Sequence, residues 1–250
     1  MPWIRKYQFL RGLGLGLGIL YVGRQQNGCG SDSLSRAQGQ TDGNDTITKC
    51  KAEGFPQDAI VFLDVEHFDG GISADMKDYY QGWIGAVLDD GTFKPGTYCA
   101  DSNANDLINA AQQEYAAHGL PSGNPAFWIV KNDLSFDPQT SVPTGSGVAF
   151  ANIWQGRINV VGEAHGGATI SPIDQDVADS NDPSATLRLT SAIFRQQSGS
   201  RGDSATRTRT VSAFILESAC RRSQRTPIGR RGKAIVLSEW HKPHRRDGEN

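Results

Sequence analysis

Two carboxylates stand two residues apart in this chain, Asp64 and Glu66, at the end of the apolar run AIVFLDVE (59–66). In a strand, residues i and i+2 point to the same side. Two carboxyls placed closely at the rim of an apolar sheet repel each other and are partly desolvated. Both effects favour keeping one of them protonated. One acid and one base side by side is the equipment for hydrolysing a glycosidic bond. The plainer alternative is a solvated strand end with ordinary surface acids. His67 follows directly. It either tunes the pair electrostatically or is an exposed loop histidine.

A second acidic cluster is Asp174, Asp176 and Asp179. Asp174 and Asp176 share one face if the segment is a strand. Calcium is the rival reading, but the Gly and terminal Glu of an EF-hand loop are missing. Cys29, Cys50, Cys99 and Cys220 form no C-x-x-C pair and have no His at metal spacing, so no metal site is expected. A Cys29–Cys50 disulfide remains open. Aromatic and amide residues sit at other expected strand ends: Tyr21 with Gln25, Tyr98, Trp128, and Trp154 with Gln155. Aromatic rings offer apolar area to a sugar face, with a polar handle on Tyr and Trp. Each alone is commonly core packing. Several at successive strand ends point toward a carbohydrate cleft.

These residues need a scaffold that brings strand ends together. Ile19–Val22, Ala59–Leu63, Gly96–Cys99, Phe127–Val130 and Val148–Trp154 read as strands, and Asp174–Val177 as a strand end. Between them lie helical patterns. Ser73–Leu88 carries Met76, Tyr79, Tyr80, Trp83, Ile84 and Val87 at helical spacing, and Asn103–His118 ends at Gly119. Residues 33–50 are polar and broken by Gly, which predicts a loop that enters a helix near Asp45. Strand–helix alternation predicts a parallel α/β sheet or barrel, with chemistry at the carboxyl ends of the strands.

The chain has 250 residues, 37% hydrophobic and 21% charged, enough to build one sizeable core. No run approaches the ~18 apolar residues of a membrane-spanning helix. Residues 187–250 hold 14 Lys and Arg against 5 Asp and Glu, whereas residues 1–186 hold 11 basic and 22 acidic residues. That contrast divides the chain at about 185. The tail, 186–250, is rich in Arg, Ser, Thr and Gly and is expected to be flexible. It carries no zinc-finger or RNA-binding motif, so no specific nucleic-acid partner is expected, although its charge suits anionic polymers. Its two apolar islands, Val211–Leu216 and Ala234–Leu237, leave open that they add strands to an incomplete sheet. The N-terminus is basic and then Gly/Leu-rich, without a signal-peptide cleavage site or a good lipoprotein site at Cys29. The spacing of Gly12, Gly14, Gly16 and Gly18 is no dinucleotide fingerprint, because Leu17 takes the place of the third required Gly.

Taken together, GLGLGLGILYVGRQ (12–25), GFPQDAIVFLDVE (54–66), YYQGWIGAV (79–87), FKPGTYC (93–99), FWI (127–129), Trp154-Gln155 and IDQDVA (173–178) resemble a bacterial glycoside-hydrolase-like barrel domain. It is the domain of unknown function numbered 1906, similar in turn to the glycoside hydrolase family 25 lysozymes. The resemblance spans about residues 3–185. It implies a (β/α) TIM-type barrel in which Glu66 is the general acid and Asp64 its partner. Asp176, or Asp174, matches an acidic residue on the last strand. The implied substrate is bacterial cell-wall glycan, cleaved without a cofactor, in an extracellular or cell-envelope setting. Such domains open with two strands, the first bearing an Asp. Neither has a counterpart here, so an incomplete barrel is expected. A glycan-binding module without turnover, or a truncated inactive barrel, are the alternatives.

Overall fold

The computed structural model describes residues 16–160, 163–165, 168–170, 173–180, 183–184 and 211–216. The expectations for residues 1–15, for Cys220 and for Ala234–Leu237 lie outside them. So does the expected flexibility of the tail, apart from 211–216.

Five strands run parallel in chain order: β1 (Gly16–Val22), β2 (Ile60–Glu66), β3 (Lys94–Ala100), β4 (Ala126–Val130) and β5 (Ile153–Val160). The first three connections each carry a helix: α1 (Arg36–Glu53), α2 (Ala74–Asp90) and α3 (Ala104–Ala117). A short hairpin pair, β6 (Glu163–His165) and β7 (Ala168–Ile170), follows β5. The chain then returns as β8 (Ile173–Ala178), antiparallel to β5. β9 (Val211–Leu216) pairs parallel with β1, so this apolar island adds a strand at the sheet's other edge. The result is one mixed, curled seven-stranded sheet in the order β8-β5-β4-β3-β2-β1-β9. Its edge strands β8 and β9 come within 8 Å of each other between Cα atoms.

Alternation along the strands sorts the side chains into two cores. Ile19, Tyr21, Val61, Leu63, Val65, Phe127 and Ile129 pack outward against Met76, Tyr79, Tyr80, Trp83, Ile84 and Leu107 of the helices. Leu20, Phe62, Trp128, Ile153 and Ala178 pack against one another on the inner face. Each fully buried side chain of this size contributes roughly 1.5–3 kcal/mol. Trp128 reaches across the interior to β1. A Cβ on Gly18 would lie 2.6 Å from its ring, so Gly at that position makes room for the indole. Ser184 ties the amino ends of β1 and β2 together. It donates N–H to Leu17 O (3.0 Å), accepts at its carbonyl from Ile60 N–H (2.7 Å), and accepts at Oγ from Ile19 N–H (2.8 Å).

Two elements differ from the sequence reading. α1 begins at Arg36, well before Asp45, with Ser35 Oγ accepting from Gln38 N–H. Its glycines are contacts rather than breaks. A Cβ on Gly39 would meet Tyr79 O at 2.0 Å, so Gly lets α1 lie tightly on α2. β5 begins at Ile153, not Val148. Val148 and Ala151 are apolar because they cap the outer core, and Phe150 meets Phe127 edge-on at 4.9 Å. Elsewhere Ser73 caps α2 through Met76 N–H, and Gly119, at φ 74°, follows the end of α3. Cys50 and Cys99 are free and buried, so Cys29 and Cys50 are not joined. Burial pushes the Cys50 thiol up to about 12.

Candidate active site

The inner face changes character toward the carboxyl ends of the strands. Below lie Leu20, Phe62 and Ile153. Above them, on neighbouring strands in register, come Asp64, Tyr98 and Trp128, with Gln155 beside Asp176 one step further round. Asp64 is 5% exposed and Asp176 2% exposed. Carboxyls so buried survive in a fold only when hydrogen-bonded or protonated.

Trp128 Nε1–H donates to Asp176 Oδ1 at 2.8 Å. Burial holds the Asp176 carboxyl well above the usual carboxylate range. The indole bond opposes that shift, and the charge of Asp174 adds to it. Tyr98 O–H donates to Gln155 Oε1 at 3.0 Å, and its ring meets Trp128 edge-on at 5.4 Å. The Tyr98 phenol is pushed far up, first by burial and then by the charges of Asp64, Asp176, Asp174 and Glu66. Asp174 is half-buried, and its Oδ1 accepts from Asn159 N–H at 2.8 Å.

Glu66 departs from simple alternation. The β2–β3 register slips between Asp64 and Glu66, so that Asp64 faces Tyr98 and Glu66 faces Cys99. Glu66 has φ 57°, a left-handed backbone uncommon for a residue with a side chain, and it is exposed at the rim. Bulges of this kind re-aim a side chain at the end of a strand. Gln25 Nε2–H donates to the Asp64 carbonyl at 3.0 Å, immediately before the slip. His67 is exposed, with Nε2 3.2 Å from Asp69 Oδ1.

Two predicted site residues point the other way. Tyr21 faces α1, where its O–H donates to Asp45 Oδ2 at 2.8 Å and Lys49 lies over its ring. Trp154 packs edge-on against Phe136 at 4.8 Å, and its Nε1–H donates to Lys131 O. Both are buried core residues on the outer face. Trp154 and Gln155 are adjacent in one strand, so they cannot both face inward. The structure thus brings together Asp64, Glu66, Tyr98, Trp128, Gln155, Asp174 and Asp176, with Gln25 behind them, and separates Tyr21 and Trp154.

A family model described as the Rv2525c-like, glycoside hydrolase-like domain matches residues 5–178. The chain belongs to that family. This agrees with the resemblance read from the motifs. No curated protein matches the chain. Among solved structures it is similar to an uncharacterized B. stearothermophilus protein, at 17% identity over 70% of this chain and 76% of that one, with a TM-score of 0.48. It is also similar to the catalytic domain of endolysin ply40 from bacteriophage P40 of Listeria monocytogenes, at 18% identity over 72% and 75%, TM-score 0.42. A third likeness is to the Clostridium perfringens spore cortex lytic enzyme SleM, at 14% identity over 72% of this chain and 54% of that one, TM-score 0.45.

Within this glycoside hydrolase-like domain the described residues offer no group of three His, Cys, Asp or Glu placed to share a metal ion. No described helix is long and apolar enough to cross a membrane. A cavity of about 360 Å³ lies between the β3–α3 turn and the β4–β5 loop, lined by Asp101, Lys131 and Phe150 among others, and none of the inner carboxylates lines it. The sequence reading also missed Asn103, whose side chain holds the loop after Glu66. Its signal was an Asn at the start of a predicted helix.

Proposed function

We propose that this protein hydrolyses a glycosidic bond in bacterial cell-wall glycan, peptidoglycan or a related polysaccharide, inside a (β/α) barrel formed by residues 1–185. Glu66 is the general acid. Its rim position lets it reach a leaving-group oxygen. Asp64, lower on the inner face, orients or stabilises the sugar as positive charge develops at its ring. Asp176, its proton affinity raised by burial, completes the acidic wall through the Trp128 indole. Tyr98, Trp128, Gln155 and Asp174 line the sugar, and Gln25 stands behind Asp64. The observation that carries this reading is the gathering of Asp64, Tyr98, Trp128, Gln155 and Asp176 on the inner face, at the strand ends of a glycoside hydrolase-like domain. The basic tail, 186–250, apart from the strand β9 that it adds to the sheet, is read as a region that contacts anionic polymers.

The experiment is release of reducing ends from cell-wall glycan by the purified full chain, compared with its Glu66→Gln variant. Turnover that disappears in the variant supports the assignment. The exposure of Glu66 favours a second reading, a glycan-binding module without turnover. Retention on insoluble glycan with no new reducing ends would select that one.

A further inference from the structure

The loop that follows Glu66 is held from two sides. On the β1 side, Gln25 Nε2–H donates to the Asp64 carbonyl (3.0 Å), and the next residue, Gln26, uses both ends of its amide. Gln26 Nε2–H donates to Gly71 O (3.3 Å), and its Oε1 accepts from Ser73 N–H (2.9 Å). On the α3 side, Asn103 Oδ1 accepts from Phe68 N–H (3.2 Å) while its Nδ2–H donates to Phe68 O (2.9 Å). Asp106 Oδ2 accepts from Ile72 N–H (3.1 Å). Phe68 itself is buried in the outer core.

Asn103 makes the closest hold on the loop. It closes a 3-10 turn, Asp101–Asn103, that runs into α3, and its backbone is already helical, so its side chain is not set to cap the helix's own first turn. It makes no capping bond. Asn103 is 1% exposed, and its amide is turned onto the Phe68 backbone, two residues after the left-handed Glu66. A strained backbone of this kind persists only where its surroundings over-determine it. Both ends of the amide are used on the loop.

We propose that Asn103 is a positioning residue for Glu66, holding the rim loop so that the bulge presents the Glu66 carboxyl over the cleft; this rests on the reading of Glu66 as the acid. Gln26 anchors the far end of the same loop.

The test uses full-length protein with 13C-labelled glutamate carboxyls, comparing Asn103→Ser and Asn103→Ala. Serine is a good helix cap but too short to span the Phe68 N–H and C=O. A residue that merely started the helix would therefore tolerate serine. The expected result is a displaced Glu66 carboxyl resonance and faster amide exchange at 66–68 in both variants, with α3 still protected in Asn103→Ser. On cell-wall glycan, kcat falls about 10- to 100-fold while KM is largely unchanged, as for a misplaced reacting group. An Asn103→Ser protein with the wild-type Glu66 resonance and wild-type protection at 66–68 overturns the proposal. If neither Asn103 variant folds, Gln26→Ala, at a half-buried position, must displace the same resonance, and an unchanged spectrum there overturns it equally. The resonance and exchange judge the loop whatever the turnover. Absence of reducing ends with wild-type protein counts against the glycosidase reading instead.

Discussion

The indole of Trp128 and the carboxyl of Asp176 are joined by a 2.8 Å hydrogen bond across the inner face of the sheet, between β4 and β8. These strands are not neighbours, because β5 lies between them. The bond therefore links two sheet positions through the interior rather than along a ladder. It gives a buried carboxyl its partner, and it places that carboxyl beside Tyr98.

The pH dependence of stability follows from Asp176. Its folded-state proton affinity is raised, chiefly by burial. Below the ordinary aspartate value near 3.9, both folded and unfolded chains hold the proton and the group costs nothing. As pH rises past that value the unfolded chain ionises first, so stability is lost progressively toward the folded-state value. Asp176→Asn removes this term. Urea melts should show the variant gaining on wild type as pH rises above about 4. A gap that is constant with pH contradicts the assignment.

Gly18→Ala should disturb the same bond from the opposite strand. The added Cβ would lie 2.6 Å from the Trp128 ring, which is already packed against Phe62 and Tyr98. Overpacking at such a contact costs about 1–3 kcal/mol. Thermal melting and tryptophan fluorescence would register the loss and the displaced indole.

Tyr98→Phe keeps the ring and removes the hydroxyl. Gln155, a residue 5% exposed, loses the donor to its Oε1. A buried acceptor left without a partner costs about 1–3 kcal/mol. The variant should melt earlier and bind glycan more weakly, by calorimetric titration with a cell-wall oligosaccharide. Equal affinity would remove Tyr98 from the cleft.

Tyr21→Phe separates core from site. It deletes the bond to Asp45 on the helix side of the sheet. Stability should fall by about 1 kcal/mol, the usual net value of such a bond. Turnover on glycan should be that of wild type, since no part of Tyr21 reaches the inner face.

Much of the scaffold was legible because its signals are local. Short apolar runs gave the strands, Ser73 the start of α2 and Gly119 the end of α3. What failed depended on partners far away in sequence. Gly39 and Gly43 read as helix breakers because nothing in 33–50 reveals that α2 lies against them. Val148 and Ala151 looked like strand because a loop that caps a core is as apolar as one. For the site, strand ends were the right place to look, and parity decided the rest. Tyr21 pairs with Leu63, which faces the helices, whereas Asp64 and Tyr98 share the inner parity. That parity was available for Trp154 and Gln155 from adjacency alone. The bulge at Glu66 was not, since nothing in the residues 64–66 distinguishes a regular strand end from one that slips register.

Glu66→Gln tests the account most directly. The substitution keeps the size and the exposed rim position of the side chain and removes its proton donor. Reducing-end release from purified cell-wall glycan should fall to background, while the melting temperature and retention on insoluble glycan stay at wild-type values. Release at the wild-type rate by the variant would contradict the central claim.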